Sequence, residues 1–131
     1  MTNVSILVAR ILLAILFIVA GLGKLGDVQG FGAYMATGGI PAFLAWPVVL
    51  FEILAGVAIL VGFQTRAAAL GLGAFCLVSG LLYHFDPADQ MQMNALMKNL
   101  GLTGGYLLLA MIGAGRLSID AKLGRAEPLP A

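Results

Sequence analysis

The stretch Val19–Asp27, VAGLGKLGD, decides how the whole chain is read. Gly21, Gly23 and Gly26 spell G-x-G-x-x-G, the fingerprint of a dinucleotide-binding turn, and an apolar run precedes them. That turn needs a short strand before it, a helix after it and an acidic residue roughly 20 positions further on, at the end of a second strand. The run before Gly21 is about 17 residues long, where a strand takes ~5–6. The segment after Gly26 contains Gly30, Gly32, Gly38, Gly39 and Pro41, poor material for a helix. Glu52 lies inside another apolar block and not at a strand end. The three glycines are therefore expected to close a transmembrane helix, where they allow close packing and a turn into a loop.

Working outward, the chain of 131 residues has 61% hydrophobic and 10% charged residues. A soluble domain carries about 25% charge, so this chain could not cover its own surface in water. Four apolar blocks follow one another, at about residues 4–23, 41–63, 67–84 and 95–114. Each has roughly the ~20 residues that carry a helix across a bilayer core. The expected fold is all-α, an integral membrane four-helix antiparallel bundle over residues 1–120, with a flexible cytoplasmic tail over 121–131. The segment LLAILFIVAG has the apolar core of a signal peptide, but no basic cluster precedes it, so it is read as the first span. The net charge of +1 argues against nucleic acid as a partner, since that needs clustered Lys and Arg. One cysteine, Cys76, and one histidine, His84, cannot build a four-ligand zinc site, a bis-His haem site or an iron–sulfur cluster without help from another chain, so no metal is expected.

The loops set an orientation. With the N-terminus inside, the inner segments hold Arg66, Arg116, Lys122 and Arg125, with Arg10 near that face. The positive-inside rule favours this arrangement, with both termini cytoplasmic. Arg10 and Arg66 are then topology residues expected to snorkel to the inner headgroups. The outer connections are residues 26–40 and 85–94, and Gln64–Thr65–Arg66 is a short inner turn joining the second and third blocks as a hairpin. Small residues should pack the helices: Gly101 and Gly105 on the fourth, Ala69 and Gly73 on the third, Ala55, Gly56 and Gly62 on the second. Pro41 suits a first helical turn, and Pro47 marks either a kink or the true helix start. Trp46 and Tyr34 suit the outer interface. Cys76, flanked by Phe75 and Leu77, is expected to be a small core residue.

Polar residues inside the blocks carry the functional expectation. Glu52 falls near the bilayer centre, where a lone carboxylate must be paired, protonated or facing water. By helix direction, Lys24, His84, Lys98 and Asn99 converge in the outer half, with Lys98 and Asn99 in the first turns of the fourth helix. Glu52 lies one to two turns deeper. Three potential cations and one carboxylate around one cavity suit an anion or a quinone headgroup, with Glu52 and His84 as proton-exchanging groups and Lys24, Lys98, Asn99 and Tyr34 as binding groups. A structural ion pair between Glu52 and Lys24 or Lys98 is the plainer alternative.

The chain resembles the DoxX family of small four-helix membrane proteins. The resemblance rests on ARILLAILFIVAGLGKL, YMATGGIP, FEILAGVAILVGFQTRAAAL and MKNLGLTGGYLLLAMIGAGRLSID, spread from Ala9 to Asp120. The combined pattern is Arg then Lys on the first helix, Glu on the second followed by G-F-x-T-R, His closing the third, Lys–Asn opening the fourth and a final S-x-D. The resemblance implies an inner-membrane protein, in some members a subunit of a thiosulfate:quinone oxidoreductase and in others a component of redox-stress defence. It carries over Arg10, Lys24, Glu52, Arg66, His84, Lys98 and Asn99. Two functions are compatible with these residues. One is a quinone-linked oxidoreductase subunit in the bilayer, with a partner redox subunit and a homo-oligomeric state both open. The other is a non-catalytic membrane anchor, an assembly partner or a small-solute carrier.

Overall fold

The structure, a computed structural model, describes residues 2–126. Six α-helices run in order: α1 Asn3–Lys24, α2 Val28–Thr37, α3 Ala45–Val61, α4 Thr65–Tyr83, α5 Gln90–Ile112 and α6 Ile119–Lys122, with a 3₁₀ turn at Ala42–Leu44 leading into α3. No strand occurs among the described residues. Four helices are long and apolar enough to span a membrane: α1, Ala42–Val61, α4 and α5. Their outward faces are apolar, with Leu12 67%, Leu54 66% and Met111 74% exposed. A surface of that kind is stable only against lipid tails.

α1 ends at Lys24, and a helix rather than a strand precedes Gly21. The glycine-rich segment after Gly26 differs from expectation. It forms the ten-residue helix α2. Asp27 caps it, its Oδ1 accepting from Gly30 N at 2.8 Å, and tertiary packing outweighs the weak propensity. Gly32 lies where a Cβ would come within 3.0 Å of Ala42 O and 3.3 Å of Ala42 Cβ, so its lack of a side chain lets α2 lie down on the start of α3. The dinucleotide fingerprint thus fails on the missing strand alone. Pro47 sits third in α3, where its missing N–H has no intrahelical acceptor to lose.

α5 begins at Gln90, five residues before the fourth apolar block. Asp89 caps it by accepting from Met91 N at 2.8 Å and Gln92 N at 3.3 Å. Lys98 and Asn99 therefore lie in its third turn.

The spans associate as two close pairs, α1 with α3 and α4 with α5. Small residues make both possible. A Cβ on Gly21 would lie 2.5 Å from Ile53 Cγ1, and one on Gly56 2.9 Å from Ile18 Cγ1. On the other pair, Gly73 faces Tyr106 and Gly80 faces Asn99 at 3.2 and 3.0 Å. The expected G-x-x-x-G role of Gly101 is not seen, because a Cβ there would meet nothing within 4 Å. Gly62 packs closely as expected, since a Cβ there would lie 2.5 Å from Ser118 Cβ and 2.8 Å from the Arg10 guanidinium, and it also ends α3 in the left-handed region at φ 71°. The two pairs meet through an aromatic cluster at mid-depth. Phe17 of α1 packs edge-on against Phe75 of α4 (centroids 5.8 Å apart) and lies 5.9 Å from Tyr106 of α5. The fully buried Tyr106 donates its hydroxyl to Leu13 O at 2.8 Å.

The end of the bundle opposite Lys24 is closed by hydrogen bonds. Arg10 is 1% exposed and does not snorkel. Its Nε donates to Ile59 O at 2.9 Å, Nη2 to Leu60 O at 2.7 Å, and Nη1 to Ala114 O and Leu117 O, both at 2.8 Å. Arg66 donates to Ala110 O at 3.3 Å. Asp120 caps α4, its two carboxylate oxygens accepting from Gln64 N at 2.9 Å and Thr65 N at 3.0 Å. Ala121 and Lys122 complete α6, and Arg125 N donates to Asp120 O at 2.7 Å. Residues 127–131 of the expected tail lie outside the described residues.

Asp120 supplies a pH test of this end. Burial pushes its carboxyl up, but the N–H groups of Thr65 and Gln64 and the charge of Arg125 outweigh burial and hold it below the usual range. A depressed pKa gives stability that is present above the unfolded value and lost as pH falls through the folded one. Detergent-solubilised protein should therefore lose thermal stability on acidification below about pH 4. Asp120→Asn should cost about 1–2 kcal/mol at neutral pH and show a shallower acid decline. A variant with the parent's melting temperature and acid profile would contradict this.

Candidate functional site

The aromatic cluster is the floor of a cavity of about 490 Å³ at the Lys24 end of the bundle. Phe17, Phe75 and Cys76 lie at its base, Leu16 and Ala20 of α1 and Val78, Ser79 and Leu82 of α4 form walls, and Phe31, Tyr34 and Met35 of α2 cover it. Its lining is mostly apolar. Lys24, Glu52, His84 and Asn99 bring polar groups to it from four different helices or their ends.

Lys24 and Glu52 form the sharpest feature. The ammonium sits 2.9 and 2.8 Å from the two carboxylate oxygens, with the Glu52 side chain 3% and that of Lys24 25% exposed. The geometry follows from α1–α3 packing. The bare Gly21 lets α3 approach at Ile53, next to Glu52, and Lys24 lies less than one turn beyond Gly21 on the same helix. Lys24 also lies over the ring of Phe31, 5.0 Å from its centroid, so the face of that ring supports the cation. An ammonium has three N–H donors. With two directed at Glu52, one is left for a ligand in the cavity.

His84 follows the last residue of α4 and is half-buried. Its Nδ1 lies 2.7 Å from Gln92 Oε1. With that amide oxygen as acceptor, Nδ1 carries the proton and Nε2 is the basic nitrogen. Asn99 lies against Gly80 at the α4–α5 contact and lines the cavity. Tyr34 lines it too and stacks on Tyr83, centroids 4.9 Å apart. Lys98 is exposed on α5 and is not among the lining residues. The structure thus brings Lys24, Glu52, His84, Asn99 and Tyr34 together, leaves Lys98 outside, and puts Arg10 and Arg66 at the opposite end.

Sequence reasoning missed Phe31, Tyr83 and Gln92. Phe31 and Tyr83 were hidden because α2 was not expected. Gln92 stands eight residues after His84 across a tight turn, a spacing with no pattern of its own. Cys76 is both a core residue, 2% exposed, and part of the cavity lining. Among the described residues no group of three or more His, Cys, Asp and Glu side chains is placed to hold a metal ion.

The comparisons agree with this architecture. The chain is 45% identical over 123 residues to the inner membrane protein YqjF of Escherichia coli (strain K12), covering 94% of this chain and 95% of that protein. It is 32% identical over 127 residues to the inner membrane protein YphA of the same organism, covering 91% and 90%. A more distant similarity, 28% over 80 residues and 61% and 59% of the two chains, is to the Bacillus subtilis (strain 168) protein named "Putative oxidoreductase CatD". No solved structure matches the chain. With the DoxX family model matching residues 5–85, the four spans and the two inner-membrane relatives, the chain belongs to the DoxX family and is a multi-pass inner-membrane protein.

Proposed function

We propose that this chain is a quinone-linked redox component of the inner membrane, and that the cavity at its Lys24 end binds the quinone headgroup. The observation that carries the proposal is the Lys24–Glu52 pair, held at 2.8–2.9 Å on the wall of a mostly apolar cavity. Buried ion pairs add little net stability over apolar packing. A pair kept beside a ligand-sized space is better explained by what it offers a ligand. A carbonyl oxygen of the headgroup would accept the third N–H of Lys24, and the aromatic side chains of Phe31, Tyr34 and Phe75 would pack on the ring. Reduction takes two electrons and two protons. Glu52 and His84 are the titratable groups that would deliver the protons, and a partner redox subunit would supply the electrons. The distant similarity to a protein named as an oxidoreductase supports this reading. Arg66, Arg116, Lys122 and Arg125 at the opposite end favour that end as cytoplasmic.

The test is direct. Protein purified in mild detergent should carry quinone in its lipid extract, and Glu52→Gln should lower the bound amount about tenfold or more while keeping the parent's helical content. If Glu52→Gln and His84→Ala both keep full function in cells, the headgroup site is wrong and the chain is a membrane anchor or assembly partner.

A further inference from the structure

We infer that the cavity admits neutral, lipid-dissolved molecules sideways from the bilayer and is closed to small water-borne anions. This rests on the cavity being a ligand site, as proposed above, and adds the route and the charge of what enters. The first observation is where the cavity opens. Leu16 on α1 and Val78 and Leu82 on α4 line it, yet they are 44%, 54% and 46% exposed. They belong at once to the cavity wall and to the lipid-facing surface. Leu16 lies two turns inside the end of α1 and Val78 more than one turn inside the end of α4, so the opening reaches into the hydrocarbon region, with Leu82 at its outer edge.

The second observation is that α2 partly covers the Lys24 end, with Tyr34 both lining the cavity and 47% exposed. Tyr83 donates its hydroxyl to Met35 O at 2.7 Å and stacks on Tyr34. Gly38 packs so closely on Tyr83 that a Cβ would lie 2.5 Å from its ring. These contacts fasten α2 to α4 across the aqueous approach.

The third observation is charge balance. Among the lining residues, Lys24 is neutralised by Glu52 and His84 is engaged by Gln92. Lys98, which could have supplied an unmatched positive charge, is exposed and outside the lining. An anion in this apolar space would lose its water and meet no uncompensated cation. A neutral ring with one acceptor oxygen loses much less.

The chain carries its own reporter, since Cys76 is its single cysteine and lines the cavity. In native membrane vesicles, Cys76 is labelled with neutral N-ethylmaleimide or with anionic sulfonatoethyl methanethiosulfonate. Each rate is divided by that on SDS-unfolded chain. The neutral reagent should be favoured about tenfold or more. Leu16→Trp and Val78→Trp, both on lipid-facing positions, should slow the neutral reagent, and Tyr83→Phe should speed the anionic one. Equal normalised rates, indifference to both tryptophans, protection by millimolar thiosulfate, or no reaction by either reagent would each overturn the inference. Decylubiquinone separates the two proposals. Protection of Cys76 supports both. A neutral-reagent preference without such protection keeps the lateral route and removes the quinone reading.

Discussion

Replacing Arg10 with methionine is expected to destabilise the bundle by about 3–5 kcal/mol, the largest effect of any single substitution at the Arg66 end. The guanidinium makes four hydrogen bonds, to Ile59 O, Leu60 O, Ala114 O and Leu117 O. Two of these carbonyls belong to the last turn of α3, where no helical N–H follows to satisfy all of them. The other two belong to the loop after α5. A single side chain thus ties α1 to the end of α3 and to the segment that Asp120 uses to cap α4. Methionine keeps most of the apolar stem but leaves buried acceptors without donors, and each such loss costs about 1–3 kcal/mol. Lysine should recover only part, because one ammonium cannot reproduce a planar fork of donors reaching four oxygens. Equilibrium unfolding in SDS–detergent mixtures measures the order parent, Arg10→Lys, Arg10→Met. If Arg10→Met unfolds within about 0.5 kcal/mol of the parent, the buried fork is not what holds this end together.

Arg10 also shows where the sequence runs out. Its position near the start of an apolar block resembles that of any snorkelling arginine. The acceptors that bury it lie 49 to 107 positions away, and nothing local announces them. The four spans were legible because twenty apolar residues in a row have one stable environment. That Glu52 needs a partner was legible for a related reason, since a carboxylate in mid-span is costly alone, but the choice between Lys24 and Lys98 was not. α2 was not, because its glycines argue against a helix by propensity, and it forms because Gly32 fits against Ala42 and Asp27 caps the first turn. The start of α5 was hidden by Gln90, Gln92 and Asn94, polar residues that read as loop until Asp89 is recognised as a cap. That shift of five residues moved Lys98 and Asn99 about one and a half turns further along their helix. Asn99 lines the cavity and Lys98 does not.

The Lys24–Glu52 pair should separate stability from function in one double-mutant cycle. Lys24→Met alone leaves a carboxylate that is 3% exposed without its cation, and loss of one partner from a buried pair costs about 3–5 kcal/mol. Glu52→Leu alone strands an ammonium that is 25% exposed and still rests on Phe31. That variant should lose less, about 1–3 kcal/mol. The double variant Lys24→Met/Glu52→Leu removes both charges and fills the space with apolar atoms, so it should unfold within about 1 kcal/mol of the parent, giving a coupling of several kcal/mol. Quinone retention should follow a different pattern. All three variants should lose it, the double variant included, because the donor to the headgroup is gone in one arm and the paired carboxylate in the other. A stable double variant that still retains quinone would show that the pair only fixes helix register. A double variant as unstable as Lys24→Met would show that the pair is worth more to the fold than apolar packing, which would remove the energetic argument for a ligand at this site.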